Sequence, residues 1–544
     1  MVCFSSRATI HRRASAIPRG SPLRVRSVGS GLLKSFAGLI AVTLLVTACT
    51  TVGPDYVKPG ADVADQWIDV DDPRVKADPV QYRDWWTVFN DPVLDFLVAT
   101  AYKQNLTLRA AGVRILQARA VLGLSVANQY PEQEVRASYT RVTLSENTSP
   151  TGSPPGETDF NVYQLGFDAS WELDFWGRFR RGVESSNADL GASIANYDDI
   201  LVSLVAEVAA TYVQIRTFEE RLKFARANVK VQERSFRIAD VRFRNGAVTE
   251  LDVQEAKGSL RNTQALIPEL ERGLRQAQNA LSVLLGMPPQ DLRDILGGPM
   301  RIPTAPPDVA VGVPAELLRR RPDIRRAERE AAAQSAQIGV AVADLYPRLS
   351  ILGTIGISSS DFAEFFTTGS VTGFGGPSVV WPVFNYGRFR NNIRVQDGLF
   401  QELVVDYQNT VLKAAQEVED GLVGFLRNQE AVGFLTDAVK ATKRSVDLSL
   451  IQYREGTVDF NRVLDAQTRL VEQQDRLAET TGDISLSLVA TYKALGGGWE
   501  SRVGQDFVPP ETKEIMRART NWGGLLTSPE NVTPKPVRII PAAP

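Results

Sequence analysis

Hydrophobic and polar residues alternate strictly along the segment from Phe160 to Asp174. One face carries Tyr163, Leu165, Phe167, Ala169, Trp171 and Leu173, and the other carries Gln164, Gly166, Asp168, Ser170, Glu172 and Asp174. A period of two residues predicts a β-strand. Similar alternation occurs near 135–142 and, in the second half of the chain, at Leu349, Ile351, Ile355 and Ile357 and again at Val379, Trp381 and Val383. The sequence therefore predicts four strands arranged in two hairpins.

Elsewhere the apolar residues recur every three or four positions, which predicts helices. Two such stretches, Leu94 to Asn128 and Asp323 to Ala343, are of moderate length and lack proline. Two others, from about Gly182 to Arg244 and from about Asn391 to Arg454, continue past 60 residues. Each of these would be on the order of 90 Å long at 1.5 Å per residue. No compact domain core needs helices of that length.

Both long helical stretches are followed by a glycine, Gly246 or Gly456, which suits the left-handed residue that ends many helices. A residue suited to N-capping comes soon afterwards: Thr249, with Asp252 three positions later as a capping box, or Asp459. A second helix then runs back along the first. Each half of the chain is therefore predicted to end in a long helical hairpin. The two turns are Gly246-Ala247-Val248 and Gly456-Thr457-Val458.

The two halves of the chain repeat one another in a fixed register. Trp171 aligns with Trp381 at an offset of 210 residues, and the same offset aligns the two copies of Gly-Arg-Phe-Arg, at 177–180 and 387–390. Nearer the start of each half the offset is 216, because Tyr130-Pro131 aligns with Tyr346-Pro347. One supersecondary unit is thus present twice, and each copy leaves faces for the other to bury.

Alternating strands fit either a sheet half-buried against a soluble core or part of a transmembrane barrel with aromatic residues near the strand ends. Four strands cannot close a membrane barrel, and open sheet edges are not tolerated in hydrocarbon. In a membrane, two chains would supply eight strands and three would supply twelve. A lumen lined by Asp168, Glu172 and Asp174 needs room for water. That requirement favours twelve strands and a homotrimer.

Residues 1–48 have the features of a signal peptide. They contain seven Lys/Arg and no acid, and an apolar run from Phe36 to Val46 is too short to span a bilayer. The sequence Val-Thr-Ala-Cys that ends at Cys49 also resembles a bacterial lipobox, in which the cysteine is lipidated and becomes the first mature residue. The alternative is an ordinary signal peptide with a cysteine there by accident. Lipidation is favoured because Cys49 falls at the cleavage point, and Thr50 in place of an aspartate directs the lipid to the outer membrane.

The composition excludes several kinds of chemistry. The only histidine, His11, and one of the two cysteines, Cys3, lie in the signal peptide, and the other cysteine, Cys49, would carry the lipid. Histidine triads, cysteine nucleophiles and Cys/His zinc sites are therefore excluded. No glycine-rich phosphate loop opens a helix after a strand. Without the seven basic signal residues the chain has 54 Lys/Arg against 63 Asp/Glu, and this net charge of −9 disfavours a nucleic-acid partner. We expect no enzymatic activity and no cofactor besides the covalent lipid on Cys49.

Six stretches resemble the TolC-like outer-membrane efflux proteins, specifically the lipidated NodT/OprM-type members of resistance-nodulation-division (RND) tripartite pumps. They are CTTVGPDYVKP at 49–59, WWTVFNDPVLDFLV at 85–98, WELDFWGRFRR at 171–181, LRRRPDIRRAE at 318–328, YREGTVDFNRVLDAQ at 453–467 and YKALGGGW at 492–499. The resemblance implies a mainly α protein with a β-barrel portion. In it, a trimeric twelve-stranded transmembrane barrel continues into the periplasm as a helical barrel with an equatorial belt.

The resemblance and the internal repeat together divide the chain. The expected segments are a signal peptide (1–48), a lipidated N-terminal extension (49–93), a first repeat (94–290), an equatorial linker (291–322), a second repeat (323–496), and a C-terminal equatorial strap with an irregular tail (497–544).

The resemblance also implies a gate at the periplasmic end. The VLDAQ match assigns Asp465 to an acidic ring in the lumen, and Tyr453 matches the tip tyrosine, which would hydrogen-bond in the closed state beside Arg454. Asn461 and Arg462 occupy places where other members carry different gate residues. The two turns resemble the tip motifs that receive a periplasmic adaptor protein, although helix capping alone would also explain them.

Three functions are candidates for a chain with these features. The first is the outer-membrane exit duct of an efflux pump, working with a periplasmic adaptor and an inner-membrane RND transporter. The second is the outer-membrane duct of a type I protein secretion system, which would share the fold but usually lacks the lipobox. The third is a structural periplasmic coiled coil, which does not explain the alternating strands. The sequence favours the first.

Overall fold

The computed structural model describes residues 51–76, 82–145, 159–297 and 301–527. The signal peptide and Cys49 lie outside the described residues, so lipidation stays a prediction. The main elements, in chain order, are α1 (Pro92–Gln104), α2 (Leu106–Ala127), β1 (Glu132–Thr143), β2 (Asp159–Leu173), α3 (Arg178–Arg244), α4 (Glu250–Leu284), α5 (Pro322–Ala343), β3 (Arg348–Ser359), β4 (Val371–Val380), α6 (Arg388–Glu455), α7 (Phe460–Ala494) and α8 (Pro510–Arg519).

The helices α3 and α6 contain 67 and 68 residues, and each is about 100 Å long at 1.5 Å per residue. The return helices α4 and α7 contain 35 residues each, so the two hairpins cover only the distal half of the long helices. The hairpins pack together where α3 contacts α7. The largest core forms higher up, where α1 and α2 join the long helices around residues such as Leu201, Tyr212 and Phe425.

The stretch from Leu94 to Asn128 was predicted as one helix and is in fact two. Asn105 separates α1 from α2, because its backbone leaves the helical conformation at ψ 125°. Its side chain accepts a hydrogen bond from Leu108 N at 2.9 Å and donates one to Leu284 O at 2.9 Å. The asparagine therefore caps the second helix and ties it to the end of α4.

The four predicted strands form one antiparallel sheet in the order β1-β2-β3-β4. Its register aligns apolar residues across the strands: Val135 lies opposite Phe167, which lies opposite Ile355. These three side chains are 74%, 43% and 64% exposed, so this apolar face is not covered by the chain itself. The prediction was wrong at one end, because β4 stops at Val380 and leaves both Trp381 and Val383 outside the strand.

The internal repeat is also present in the three-dimensional structure. The indole Nε1 of Trp171 donates to the carbonyl of Gln129 at 2.9 Å, and that of Trp381 donates to the carbonyl of Leu345 at 3.1 Å. The two donors are 210 residues apart and the two acceptors are 216 apart, which are the two offsets found in the sequence. The same contact therefore joins a helix end to a strand end in both copies.

The segments before and after the repeats wrap around the middle of the long helices. Residues Val75–Lys76 pair in parallel with Val309–Ala310, and the buried Arg502 donates to the buried Asp198 of α3 at 2.9 Å. The C-terminal tail from Pro509 to Pro544, expected to be irregular because it is rich in proline, contains α8, whose ten residues are helical. Residues 528–544 lie outside the described part of the chain.

Candidate functional site at the hairpin tips

Both turns are built in the same way. Gly246 and Gly456 adopt left-handed backbones, with φ of +70° and +76°. At the first turn, Gly246 N donates to Phe243 O and Ala247 N donates to Arg242 O, at 2.8 and 2.9 Å. At the second turn, the amides of Gly456 and Thr457 donate to the carbonyls of Tyr453 and Gln452 at 3.1 and 3.0 Å. These are the paired bonds of a Schellman motif, so both predicted turns are confirmed.

A small separate core holds the two tips together. Tyr453 and Phe460 are each 1% exposed, and their rings meet edge to face with centroids 5.3 Å apart. Ala239, Val253, Ala256 and Val463 complete the buried set, and Val248 and Val458 of the two turns pack against it. The first hairpin and the second hairpin thus share one apolar cluster at their ends.

Three polar side chains link the hairpins across this cluster. The hydroxyl of Tyr453 on α6 donates to Oδ2 of Asp252 on α4 at 3.1 Å. The guanidinium of Arg242 on α3 lies 4.7 Å from the centroid of the Tyr453 ring, and its Nη1 donates to the Tyr453 carbonyl. We call Arg242, Asp252 and Tyr453 the tip lock.

The tip lock also explains why the expected capping box is absent. Thr249 stands at the N-cap of α4, but its side chain makes no bond to the helix amides. It lies 3.5 Å from Oδ1 of Asp252, whose other oxygen accepts from Tyr453. Burial and the neighbouring Asp252 carboxylate raise the pKa of Tyr453 to about 12, so its hydroxyl remains a donor at neutral pH.

Of the predicted gate residues, one is buried between the hairpins and the others are exposed on the surface of the chain. Tyr453 is at the centre of the site, and its hydroxyl donates within the chain to Asp252. Asp465 is exposed on α7, and Asn461 and Arg462 are exposed at the start of that helix. Arg454 is exposed beside the second turn. An acidic ring formed by Asp465 of several chains stays a prediction.

Sequence reasoning missed Arg242 and gave Asp252 a local role. The internal repeat held a signal that could have found both. At an offset of 210, Arg242 corresponds to Gln452, Asp252 to Arg462, and Tyr453 to Phe243. All three positions of the tip lock therefore differ between the repeats, although the surrounding turns are alike.

Further polar contacts join the hairpins above the tips. Gln467 Nε2 of α7 donates to Ser235 Oγ of α3 at 2.7 Å in a buried site. Higher still, Arg221 Nε donates to Asp475 Oδ1 at 2.7 Å. Of these polar contacts between the two hairpins, the tip lock is the one nearest the turns.

The acids predicted to line a lumen are partly neutralised. Asp168 Oδ2 lies 3.9 Å from Arg136 Nε across the sheet, and Glu172 Oε1 accepts from Arg178 at 3.4 Å. Asp174 lies beyond the end of β2, and its carboxylate accepts from the amides of residues 179 and 180 at 3.0 and 2.9 Å. It therefore caps α3, where a negative charge is favoured, and does not continue the polar face of the strand.

Among the described residues there is no group of three or more His, Cys, Asp or Glu side chains arranged to hold a metal ion. The site consists of the ends of two helical hairpins, a shared apolar cluster, and the polar contacts between them.

Comparison with known proteins agrees with this arrangement. A family model described as outer membrane efflux protein matches residues 97–287 and 313–497. The chain is 30% identical to nodulation protein T of Rhizobium leguminosarum bv. trifolii, with 84% of this chain and 96% of that protein covered. It is 31% identical to the pyoverdine export outer membrane protein OpmQ of Pseudomonas putida, with 85% and 97% covered.

The fold also matches a solved structure of the outer-membrane channel OprN. The TM-score is 0.77 and the identity 32%, and the match covers 83% of this chain and all of that one. Similarity therefore extends over both repeats.

Proposed function

The chain belongs to the outer membrane efflux protein family, and from that premise we propose that it is the exit duct of a tripartite efflux pump. Three copies would form a twelve-stranded barrel in the outer membrane and a helical barrel in the periplasm. The duct would passively conduct drugs or other toxic compounds delivered by an inner-membrane RND transporter through a periplasmic adaptor. The export and efflux roles in the relatives' names support this proposal.

The main support for the proposal is that the four-stranded sheet has two unpaired edges. Within the described part of the chain, β1 and β4 are edge strands, with a row of unpaired backbone groups on the outer side of each. One face of the sheet is apolar and exposed. Edges of this kind are not tolerated in hydrocarbon, so a membrane location requires that β1 of one chain pair with β4 of the next.

Aromatic residues support the membrane orientation of the sheet. Tyr163 lies near one end of β2 and contacts Tyr139 and Phe362, with centroids 5.0 and 5.4 Å apart. Trp171 lies near the other end. The eight residue steps from Tyr163 to Trp171 span about 26 Å along the strand, or roughly 20 Å after a tilt of about 40°. That height is close to the apolar band of about 25 Å between the two aromatic girdles of outer-membrane barrels.

The N-terminus and the long helices complete the proposed assembly. A lipid on Cys49, two residues before the described part of the chain begins, would anchor each chain in the outer membrane. The exposed apolar side chains along α6, which include Val405, Leu412 and Phe434, support a second copy packed against that helix. The turns Gly246-Ala247-Val248 and Gly456-Thr457-Val458 would receive the adaptor, and the tip lock would hold the duct closed until it does.

Planar-bilayer recording of the purified full-length protein tests the function. We expect stepwise ion currents that are small while the tips are closed and preferentially carried by cations, because the net charge of the mature chain is −9. A protein that inserts into the bilayer and never conducts would contradict the duct.

Native mass spectrometry tests the assembly in parallel. We expect a trimer in mild detergent, a mass increase for the lipid, and loss of that increase in Cys49→Ser while the barrel still inserts. A stable monomer, or an unlipidated native protein, would contradict the corresponding part of the proposal.

A further inference from the structure

A basic groove lies on the first hairpin just above its turn. Its volume is about 550 Å³, and it is lined by Arg234, Arg237, Ile238, Val241, Arg242 and Arg454. Five of these residues lie on α3, and Arg454 comes from α6, so the groove lies where the two hairpins meet. Arg242 of the tip lock is part of its wall. We call this feature the arginine groove.

The arginine groove concentrates positive charge without an internal counter-charge. No carboxylate lines it, and none of its four arginines forms an ion pair within 4.0 Å in the described part of the chain. By contrast Arg244, two residues beyond Arg242, pairs with Asp240 at 2.9 Å. Like charges that share a groove repel one another, so an anionic occupant would be favoured.

The internal repeat indicates that the architecture does not require this charge. At an offset of 210, the α3 positions of the groove correspond to Arg444, Asp447, Leu448, Ile451 and Gln452 of α6. The apolar positions are kept as apolar. Arg237 and Arg242 are replaced by an acid and an amide, so the second hairpin has the same helix face without the concentrated charge. The arginines are therefore a property of the first hairpin and not of the repeat.

The shape of the groove favours a protein segment over a small anion. Arg234 and Arg242 are eight residues apart, about 12 Å along the helix axis. Ile238 and Val241 lie between them and offer apolar contact. A phosphate-sized anion would occupy one or two guanidinium groups and leave the remainder unpaired. An extended or helical segment that carries several carboxylates with apolar side chains between them would satisfy the whole groove.

We propose that the arginine groove is a docking site for an acidic segment of the periplasmic partner, and that occupancy weakens the tip lock. The proposal rests on the proposed function, because it needs a partner at the periplasmic end. Carboxylates in the groove attract the Arg242 guanidinium away from the Tyr453 ring and carbonyl. A ligand that binds one of two states more tightly shifts the equilibrium toward that state. Binding in the groove therefore favours the state in which the tips separate.

The test uses the full-length protein in detergent and a fluorescein-labelled deca-glutamate peptide as the probe, followed by fluorescence anisotropy at low and high salt. The variant is Arg234→Gln/Arg237→Gln, which spares Arg242. The matched control is Arg261→Gln/Arg469→Gln, which removes the same charge from exposed positions of α4 and α7 outside the groove. We expect saturable, salt-sensitive binding that is roughly tenfold or more weaker in the groove variant, since each lost charged contact contributes that order of affinity. Binding by the control should match that of the wild type.

Three results would overturn the proposal. The first is equal weakening in the groove variant and the control, which would mean nonspecific attraction. The second is displacement of the peptide by micromolar inorganic phosphate, which would mean a small-anion site. The third is no binding by the wild type together with a groove variant that dissociates into subunits, which would mean that neighbouring chains fill the groove.

A second readout tests the coupling to the tip lock. The peptide added to the periplasmic side in planar bilayers should raise the conductance of the wild type and the control, but not that of the groove variant. Peptide that binds in the groove and leaves conductance unchanged would overturn the coupling. A failure of the duct itself would appear as the absence of any current, whereas the binding measurement does not depend on conduction.

Discussion

Removing one hydroxyl from the tip lock should open the duct. In Tyr453→Phe the ring keeps its buried position, its contact with Phe460 at 5.3 Å and the Arg242 guanidinium 4.7 Å from its centroid. Only the bond to Asp252 is lost, which is 3.1 Å long in the wild type. The variant therefore isolates one interaction between the hairpins without creating a cavity.

The size of the effect follows from the exposure of the acceptor. A hydrogen bond to a charged group contributes about 1.5 to 3 kcal/mol. Asp252 is only half-buried, so water can replace the phenol, and about 0.5 to 1.5 kcal/mol per chain is a better value. Three copies in the proposed trimer would contribute about 1.5 to 4.5 kcal/mol. At about 1.4 kcal/mol per factor of ten, the ratio of closed to open tips falls about tenfold to a thousandfold.

Single-channel recording measures this ratio directly. The expected result is a larger mean conductance for Tyr453→Phe, together with sensitivity of cells to antibiotics that are too large to cross the outer membrane. The matched control is Asp240→Asn, which breaks an exposed ion pair with Arg244 on one helix and leaves the hairpin contact intact. A correctly assembled Tyr453→Phe trimer with wild-type conductance would show that the tip lock does not close the duct.

Three further predictions concern the same region. Gly456→Ala and Gly246→Ala should each cost about 1 kcal/mol of stability through the left-handed backbone, and neither should raise conductance. The added Cβ at 456 would make only van der Waals contact with Nη2 of Arg242, at 3.4 Å, and the Cβ at 246 meets nothing within 4 Å; a raised conductance in either variant would refute this. The pKa of Tyr453 rises from 10.0 to about 12 on folding, so the stability difference between wild type and Tyr453→Phe should be constant below pH 10 and decline as pH rises toward 12. Thermal melts that show the difference falling at neutral pH would contradict that sign. Asp465→Asn should bring the reversal potential in a salt gradient closer to zero, since an exposed carboxylate is lost from each chain; an unchanged potential would place Asp465 outside the ion path.

The helices and strands that could be predicted are those whose hydrophobic periodicity fits only one type of secondary structure. The β2 strand alternates without a break, and the long helices keep their period for more than 60 residues, so the element types were clear. Asn105 was missed as a boundary because an asparagine also occurs within helices, and only its bonds to Leu108 and Leu284 reveal the cap. The helix α8 was missed because its prolines suggested an irregular tail. Pro510 stands in the first turn of that helix, where the missing N–H costs little.

The candidate site was predictable only in part. Its turns depend on glycines that are close in sequence to the helix ends, so they could be found. The tip lock joins α3 and α4 to α6 across about 200 residues. The hydrophobic periodicity of a sequence carries no information about contacts between residues so far apart. The family resemblance located Tyr453 but not its partner, because the same tyrosine could have reached an acid on α7 as easily as Asp252 on α4.

An electron cryo-microscopy reconstruction of the full-length protein in lipid nanodiscs would show whether three chains share one barrel. We expect threefold symmetry and twelve strands around one water-filled lumen, with β1 of each chain paired to β4 of its neighbour and the lumen narrowing where Tyr453 contacts Asp252. A monomer whose sheet edges stay unpaired, or a trimer whose sheets do not close into one barrel, would contradict it.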